Sequence, residues 1–424
     1  MLAQWYHPVI GGEETHVRTL ARELARRGHE VTVATLHQPG QPDVELDGPV
    51  RVHRIRAAVQ RAPWLFSKGA RQSAPPFPDP AVTAGLSRLL ASVQPDVVHA
   101  HNWLVHSYLP LRRMGGAPLV VTLHDYSLIC AKKNLMYRGA VCSGPAPQKC
   151  LHCATRHYGF PKAVATLGGL WGFQTAERAA VDRFVAVSTS VAEGNQLSST
   201  DNVEVIPNFI PDAEIAPPQD AERFRRLLPR DPYILFVGSL STIKGVDVLL
   251  KAYRRLEAPP PLVLIGYVGR EGVPALEKAD RRVRVLTNWP HAAVMDAWRR
   301  SLFGVVPSLW AEPFGLVAIE GMSAARALVA SRVGGLAEIV SHGKTGFLVS
   351  PGDVLQLARA MQRLTDDTGL RDRMGAAGAL RVRRYQASKV VPRIEDLYER
   401  LIRDHRERMP VGPTERRGPG SPRR

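Results

Sequence analysis

Apolar residues return at helical spacing through "HVRTLARELARRG" from His16, stop at Gly28 and His29, then run through the β-branched "EVTVATL". These signals predict an amphipathic helix, a turn and a short buried strand, which is half of a βαβ unit. The same grammar recurs at "LSRLLASVQPDVVHAHN", "APLVVTLHDYS", "AERAAVDRFVAVSTS" and "VEVIPNF". After Pro211 it restarts with "PYILFVGSL", "PPLVLIGY", "RVRVLTNW", "FGVVPSL" and "TGFLVSPGD". Strands that are apolar on both faces belong to parallel sheets covered by helices. The expected fold class is therefore α/β, with two Rossmann-like parallel-sheet domains facing a cleft. One domain is expected over 1–209, a second over 212–384, a helix over 385–408 that crosses back to the first, and a disordered tail over 409–424. The proline- and acid-rich stretch from Asp212 to Pro232 reads as the linker. The opening "MLAQWYHP" leaves little room for a first strand, so either that strand is short or the natural start lies upstream.

Charge narrows the choice of partner. The chain carries +17, of which its last 22 residues hold +4 (seven Arg against three acids), leaving +13 over the body. A basic body suits nucleotide phosphates or anionic lipid head groups, with plain solubility as the simpler account. Nucleic acid is not expected as a partner, because no binding motif and no regular alternation of basic and aromatic residues is present. The sequence has no run of eighteen uncharged apolar residues and no signal-peptide layout at its N-terminus. The expectation is a cytoplasmic protein, with contact at most on the inner face of the cell membrane.

Ligands of doubly wound sheets sit at the carboxyl ends of strands, so chemistry is expected just after them. Gly11 and Gly12 in "PVIGGEE" precede a helix beginning near Glu13, where bare backbone and a helix N-terminus favour a phosphate; a plain turn is the alternative. His124 and Asp125 end the strand of "VVTLHDYS", where a polar residue faces either the cleft or its own backbone. Gly238 and Ser239 open a turn that delivers Lys244 to a helix, a place for a cation beside a diphosphate or for an ordinary surface lysine. In "AEPFGLVAIE" a helix starts near Gly315, and the first amides of Gly315, Leu316 and Val317 form an anion site. Glu312 precedes that site and Glu320 follows it, with Pro313 and Phe314 between. Two carboxylates flanking a phosphate site fit a nucleotide sugar, one taking sugar hydroxyls and the other ribose. Either alone would read as surface charge.

The E-x7-E stretch of Glu312 to Glu320 combines with the Gly11-Gly12 loop, "TLHD" at His124, "KG" at Lys244, "VGGLAEIV" and "GKTGFLVSPGD". Together, over residues 5 to 400, they resemble the retaining family 4 glycosyltransferases of the GT-B fold. The resemblance implies that Glu312 contacts donor-sugar hydroxyls and Glu320 the ribose. It implies that Phe314 and Gly315 offer backbone to the sugar, and that the amides of Leu316 and Val317 meet the diphosphate. Lys244 corresponds to the diphosphate-binding lysine, His124 to a cleft histidine near the scissile bond, and Gly12 to the loop that approaches the donor phosphate. The family's usual Gly-Arg is Gly238-Ser239 here, which removes a bidentate cation. A glycan or lipid-linked acceptor would attack on the face from which the nucleoside diphosphate leaves, and that leaving phosphate would take the acceptor's proton. Fixed charges at Lys244 and the helix amides would stabilise the departing phosphate. No cofactor is implied for catalysis. Two rivals remain open: a sugar-nucleotide epimerase or glycan phosphorylase on the same fold, and a non-catalytic nucleotide-sugar-binding subunit, for which Ser239 and the clipped first strand are the best evidence.

Cys130, Cys142, Cys150 and Cys153 fall in one stretch spaced C-x11-C-x7-C-x2-C. That spacing admits a structural zinc, packed thiols or redox chemistry, and the CxxC end favours zinc bracing a loop over the acceptor side. A second loop sets Trp64, Leu65 and Phe66 among Arg54, Arg56, Arg61, Lys68 and Arg71. It reads as a membrane-dipping loop or as an ordinary surface loop.

Overall fold

The apolar stretch that follows each helix finds its neighbour in one of two sheets. The computed structural model describes residues 1–9, 11–62, 73–112, 116–197, 202–268 and 280–408. Among these the first sheet has eight strands, in spatial order Val203–Val205, Arg183–Ala186, Leu119–Leu123, Val98–His101, Leu2–Ala3, Thr32–Leu36, Val50–Ile55 and Val44–Asp47. Neighbours are parallel except for the edge strand Val44–Asp47. The first strand is short, at two residues, yet central: Leu2 registers with Ala34 on one side and Ala100 on the other.

The second sheet has six parallel strands, Val283–Leu286, Leu262–Ile265, Ile234–Val237, Phe303–Val306, Ala327–Ser331 and Gly346–Val349. Numbered within that sheet the order is 3-2-1-4-5-6, the doubly wound arrangement, and the strand order reverses between Ile234–Val237 and Phe303–Val306. In the first sheet the reversal lies between Leu2–Ala3 and Val98–His101. Loops leaving the strands at a reversal part to opposite faces and open a crevice at the carboxyl ends. Both crevices therefore lie where the sequence motifs cluster.

The helix Ala387–Arg408 follows the second sheet but packs on the first. Val390, Val391, Ile394, Leu397 and Leu401 are buried in one cluster with Val17, Leu20, Val33 and Val52, each such side chain worth roughly 1.5–3 kcal/mol on burial. Tyr398 hydroxyl meets His99 Nδ1 at 2.5 Å, and Glu395 pairs with Arg27 and His29, both at 3.0 Å. The linker starts where this helix starts: Ile210 bridges Gln386, and Asp212 accepts from the Ser388 amide at 3.0 Å. No helix among the described residues is long and apolar enough to cross a membrane. The loop carrying Trp64, Leu65, Phe66, Lys68 and Arg71 and the 409–424 tail lie outside the described residues.

Candidate functional site

At the second sheet's reversal, the strand Ile234–Val237 runs through Gly238 and Ser239 into a single 3-10 turn, Thr242–Lys244. Gly245 follows at φ 74°, and a Cβ there would run into the Pro307 carbonyl, so glycine alone lets the turn sit against the next strand's end. The result is that Lys244 faces the loop after Phe303–Val306. Its Nζ donates to both oxygens of Glu312 at 2.8 Å, while Ser308 Oγ and Trp310 Nε1 donate to Oε2 at 3.0 and 2.8 Å. Lys244 Nζ also lies 4.9 Å from the Trp310 ring centre, a cation–π distance.

Beyond Glu312, Phe314 is buried edge-on against Tyr385 at 5.6 Å. Gly315 takes φ 103°, and a Cβ on it would come 2.6 Å from Leu336. That left-handed residue turns the chain into the helix Leu316–Ser323, whose first backbone bond runs from the Ala318 amide to the Gly315 carbonyl at 2.8 Å. The earlier amides, at Leu316 and Val317, have no intrahelical acceptor by geometry and carry the helix's positive end. Glu320 sits one turn on, with Oε1 at 2.8 Å from His291 Nε2. Burial lowers the His291 pKa, but the bond to Glu320 and its charge outweigh burial and raise it. Glu320 and His291 line a cavity of about 490 Å³ between this helix and linker residues Asp212 to Ile215.

The first sheet's rim meets this loop directly. A Cβ on Gly12 would stand 3.3 Å from Leu316 Cδ1. Ser188 Oγ donates to the Pro313 carbonyl at 2.5 Å, and Glu338 accepts from the amides of Thr189 and Ser190 at 3.2 and 3.1 Å. The E-x7-E loop thus meets the first domain at Pro313 and Leu316.

His124 lies at this rim, its Nε2 2.9 Å from His101 Nδ1. His16 packs edge-on against it at 4.9 Å, and His99 stacks behind His101 at 4.3 Å. Burial drives all four imidazoles toward the neutral form: His16 falls to about 3, and His99, His101 and His124 fall well below the ordinary value. Beside them, burial, then Glu14 and Asp125, push the Glu13 carboxyl up, and burial raises Asp125. Asn102, in a left-handed conformation, donates to Glu13. Lys133 reaches in from the cysteine segment, its Nζ 3.9 Å from the Trp103 ring centre, and burial lowers its pKa against the opposing charges of Asp125, Glu13 and Glu14.

Gly12, Gly238, Ser239, Lys244, Glu312, Phe314, Gly315, Leu316, Val317 and Glu320 thus stand on the loops and helices at the two strand reversals, His124 follows Leu119–Leu123, one strand beyond the first reversal, and Gly11 caps the first helix. The four cysteines stand apart, lining their own small cavity, and no three His, Cys, Asp or Glu side chains among the described residues converge as ready metal ligands. Sequence reasoning missed His16, His99, His101, Glu13, Lys133, Ser188, His291, Trp310 and Glu338. One signal was available: "HAH" on a strand puts His99 and His101 on the same face.

The description "Glycosyl transferases group 1" matches residues 218–381, and "Glycosyltransferase Family 4" matches residues 10–214. Among curated proteins, a D-inositol 3-phosphate glycosyltransferase of Catenulispora acidiphila is 30% identical over 94% of this chain and 93% of its own. A glycogen synthase of Mycobacterium tuberculosis is 30% identical over 90% of this chain and 89% of its own. Among solved structures, a sucrose-phosphate synthase from Thermosynechococcus elongatus superimposes with TM-score 0.71 at 23% identity, covering 93% of this chain and 94% of that one. The Anabaena protein HepE, solved with UDP-glucose, gives 0.65 at 19% identity, covering 94% and 99%. At those identities the structures speak for the fold.

Proposed function

The chain belongs to the GT-B glycosyltransferases of group 1 and family 4, and from that premise we propose that it carries a sugar, with retention, from a nucleoside diphosphate to a hydroxyl. The acceptor is a glycan or a lipid-linked sugar, and the biological setting is synthesis of cell-surface polysaccharide or glycolipid. The observation that carries this reading is the meeting of Lys244 with Glu312 at the second sheet's reversal, one turn ahead of a helix N-terminus and facing Gly12. In our reading the donor diphosphate takes Lys244 and the amides of Leu316 and Val317. Glu312, still held by Ser308 and Trp310, is then released to accept from sugar hydroxyls, and Glu320 accepts from the ribose. The bond from the anomeric carbon to the β-phosphate oxygen breaks, the acceptor oxygen bonds on the same face, and its proton passes to the departing phosphate. His124 lies by the reacting sugar as a neutral imidazole. That UDP-glucose is named with one structural neighbour makes it the first donor to try.

Ser239, standing where the family has arginine, favours a second reading in which the site binds donor without turning it over. One experiment separates the two. UDP-, GDP-, ADP- and TDP-glucose are tested for thermal stabilisation of the wild type and of Glu320→Ala in metal-free buffer, and nucleoside diphosphate release is followed in parallel. Stabilisation by one donor, lost in Glu320→Ala and accompanied by release, supports transfer. Stabilisation without release under any acceptor supports the binding subunit, and no stabilisation by any donor overturns both.

A further inference from the structure

Cys130, Cys142, Cys150 and Cys153 are all unbridged and half-buried, and all four line one cavity of about 30 Å³. That volume admits one or two atoms the size of water. The chain reaches the cavity twice. Cys130 is followed by Lys133 and Leu135 in left-handed conformations (φ 63° and 50°), and this tight turn aims the amides of Lys132 to Leu135 at the Cys130 sulfur. The short hairpin Met136–Tyr137 with Ala140–Val141 then brings Cys142 back, its amide bonded to the Leu135 carbonyl at 2.7 Å. The second approach is the helix Pro147–Tyr158, which presents Cys150 and Cys153 one turn apart on one face. There the Ala146 amide donates to Cys150 Sγ at 3.3 Å.

The segment is anchored on two sides, by the small buried cluster Ala131, Ala154, Ala163, Leu167 and Leu170 and by Leu128, Ile129 and Leu135 in the large core, against which Cys130 and Cys142 pack. We infer that the four cysteines are a tetrathiolate zinc site outside the cleft. As they stand, Cys142 Sγ donates to the Gly144 carbonyl at 3.4 Å and Cys153 Sγ to the Met136 carbonyl at 3.8 Å. The four do not yet converge as metal ligands. The proposed site requires each thiol to turn about its own Cα–Cβ bond into the cavity that it already lines. Each S–H gives its proton to water, each sulfur bonds the divalent ion, and Lys132 and Lys149, on the same lining, offset the two negative charges that result. Four sulfurs in tetrahedral array suit zinc or iron, and the small cavity excludes a cluster of several irons and sulfides. The segment so braced is the one that carries Lys133 to the rim.

The inference is tested on untagged full-length protein, purified without added metal, by elemental analysis and by thiol titration of the native chain before and after a strong chelator. The expected result is about one zinc per chain, released in step with reaction of four thiols that are protected until the chelator acts. Cobalt exchanged for zinc should give the intense absorption of a tetrathiolate. Four thiols that react at once in zinc-free protein overturn the inference, as does iron with sulfide, or zinc retained by the folded Cys150→Ser/Cys153→Ser variant. UDP-glucose stabilisation measured on the same samples keeps the two readings apart: zinc without donor binding counts against the transferase alone, and donor binding without zinc counts against this site alone.

Discussion

The two rims of the cleft share a topology and differ in charge. At the second sheet, ionisable groups are matched in pairs: Glu312 with Lys244, with Ser308 and Trp310 behind it, and Glu320 with His291, whose pKa rises. At the first sheet, they are driven toward neutrality: four buried imidazoles lose their protons, and Glu13 and Asp125 are pushed toward keeping theirs. A rim that holds charges in fixed places suits a ligand whose charge grows during reaction, because no reorganisation is needed when it does. A rim of neutral polar groups suits an uncharged hydroxyl. The contrast fits a diphosphate at the second sheet and an acceptor at the first.

The largest expected effect follows from removing the cation of the charged rim. Lys244→Ala should lower single-turnover transfer by about 10²–10³-fold, the usual cost of losing one fixed group that stabilises transition-state charge. With Ser239 in place of arginine, little else at that turn substitutes for it. A loss below about tenfold would break the comparison, because the departing charge would then be neutralised from elsewhere.

A smaller effect sharpens the contrast, because His16 and His291, one on each rim, should respond to acid with opposite signs. A histidine in the unfolded chain titrates near 6.5, and His16 in the folded chain near 3. Below about 6.5 the unfolded state takes up a proton that the folded state refuses, so His16 costs stability on acidification. His291, raised by Glu320, does the reverse: its contribution is fully present below the unfolded pKa and is lost as pH rises through the folded one. Glu13 and Asp125, also raised, act in the same sense as His291. Melting temperatures between about pH 7 and pH 5 should therefore fall less steeply in His16→Asn than in wild type, and more steeply in His291→Asn. Equal slopes in all three would show that the two histidines do not differ in this way.

The sequence made the charged rim far more legible than the neutral one, for a physical reason. Glu312, Gly315 and Glu320 lie within one loop and helix start, and Lys244 lies one turn past a strand, so local punctuation by glycine, proline and apolar runs locates them. The parallel strands were legible for the same reason. Their partners come from afar: His291 precedes Glu320 by 29 residues, and Ser188 precedes Pro313 by 125. No periodicity encodes such pairs. The neutral rim is assembled almost wholly this way, with Asn102 reaching Glu13 across 89 residues and Tyr398 reaching His99 across 299. Burial, which neutralises these groups, is itself a property of the assembled sheet and helices. The two-residue first strand was hard to read because its neighbours, rather than its length, keep it in place.

Glu338 offers the smallest change and a direct test of whether the rims act together. Its exposed carboxylate accepts from the amides of Thr189 and Ser190, where the first domain's short helix begins, and so reaches from the second domain to the first. Glu338→Gln keeps an acceptor oxygen and removes the charge, so folding should be little affected. An exposed charge contact of this kind is worth roughly 0.2–1 kcal/mol, which corresponds to at most about a fivefold loss in kcat/KM if the contact forms in the transition state and not before. The same loss should appear in the wild type as salt is raised, since screening acts on the charge that the substitution removes, and the variant should be less sensitive to salt. A loss that is equal at all salt concentrations would assign the effect to geometry. No loss at all would mean that Ser188 and the packing of Gly12 on Leu316 align the rims without it.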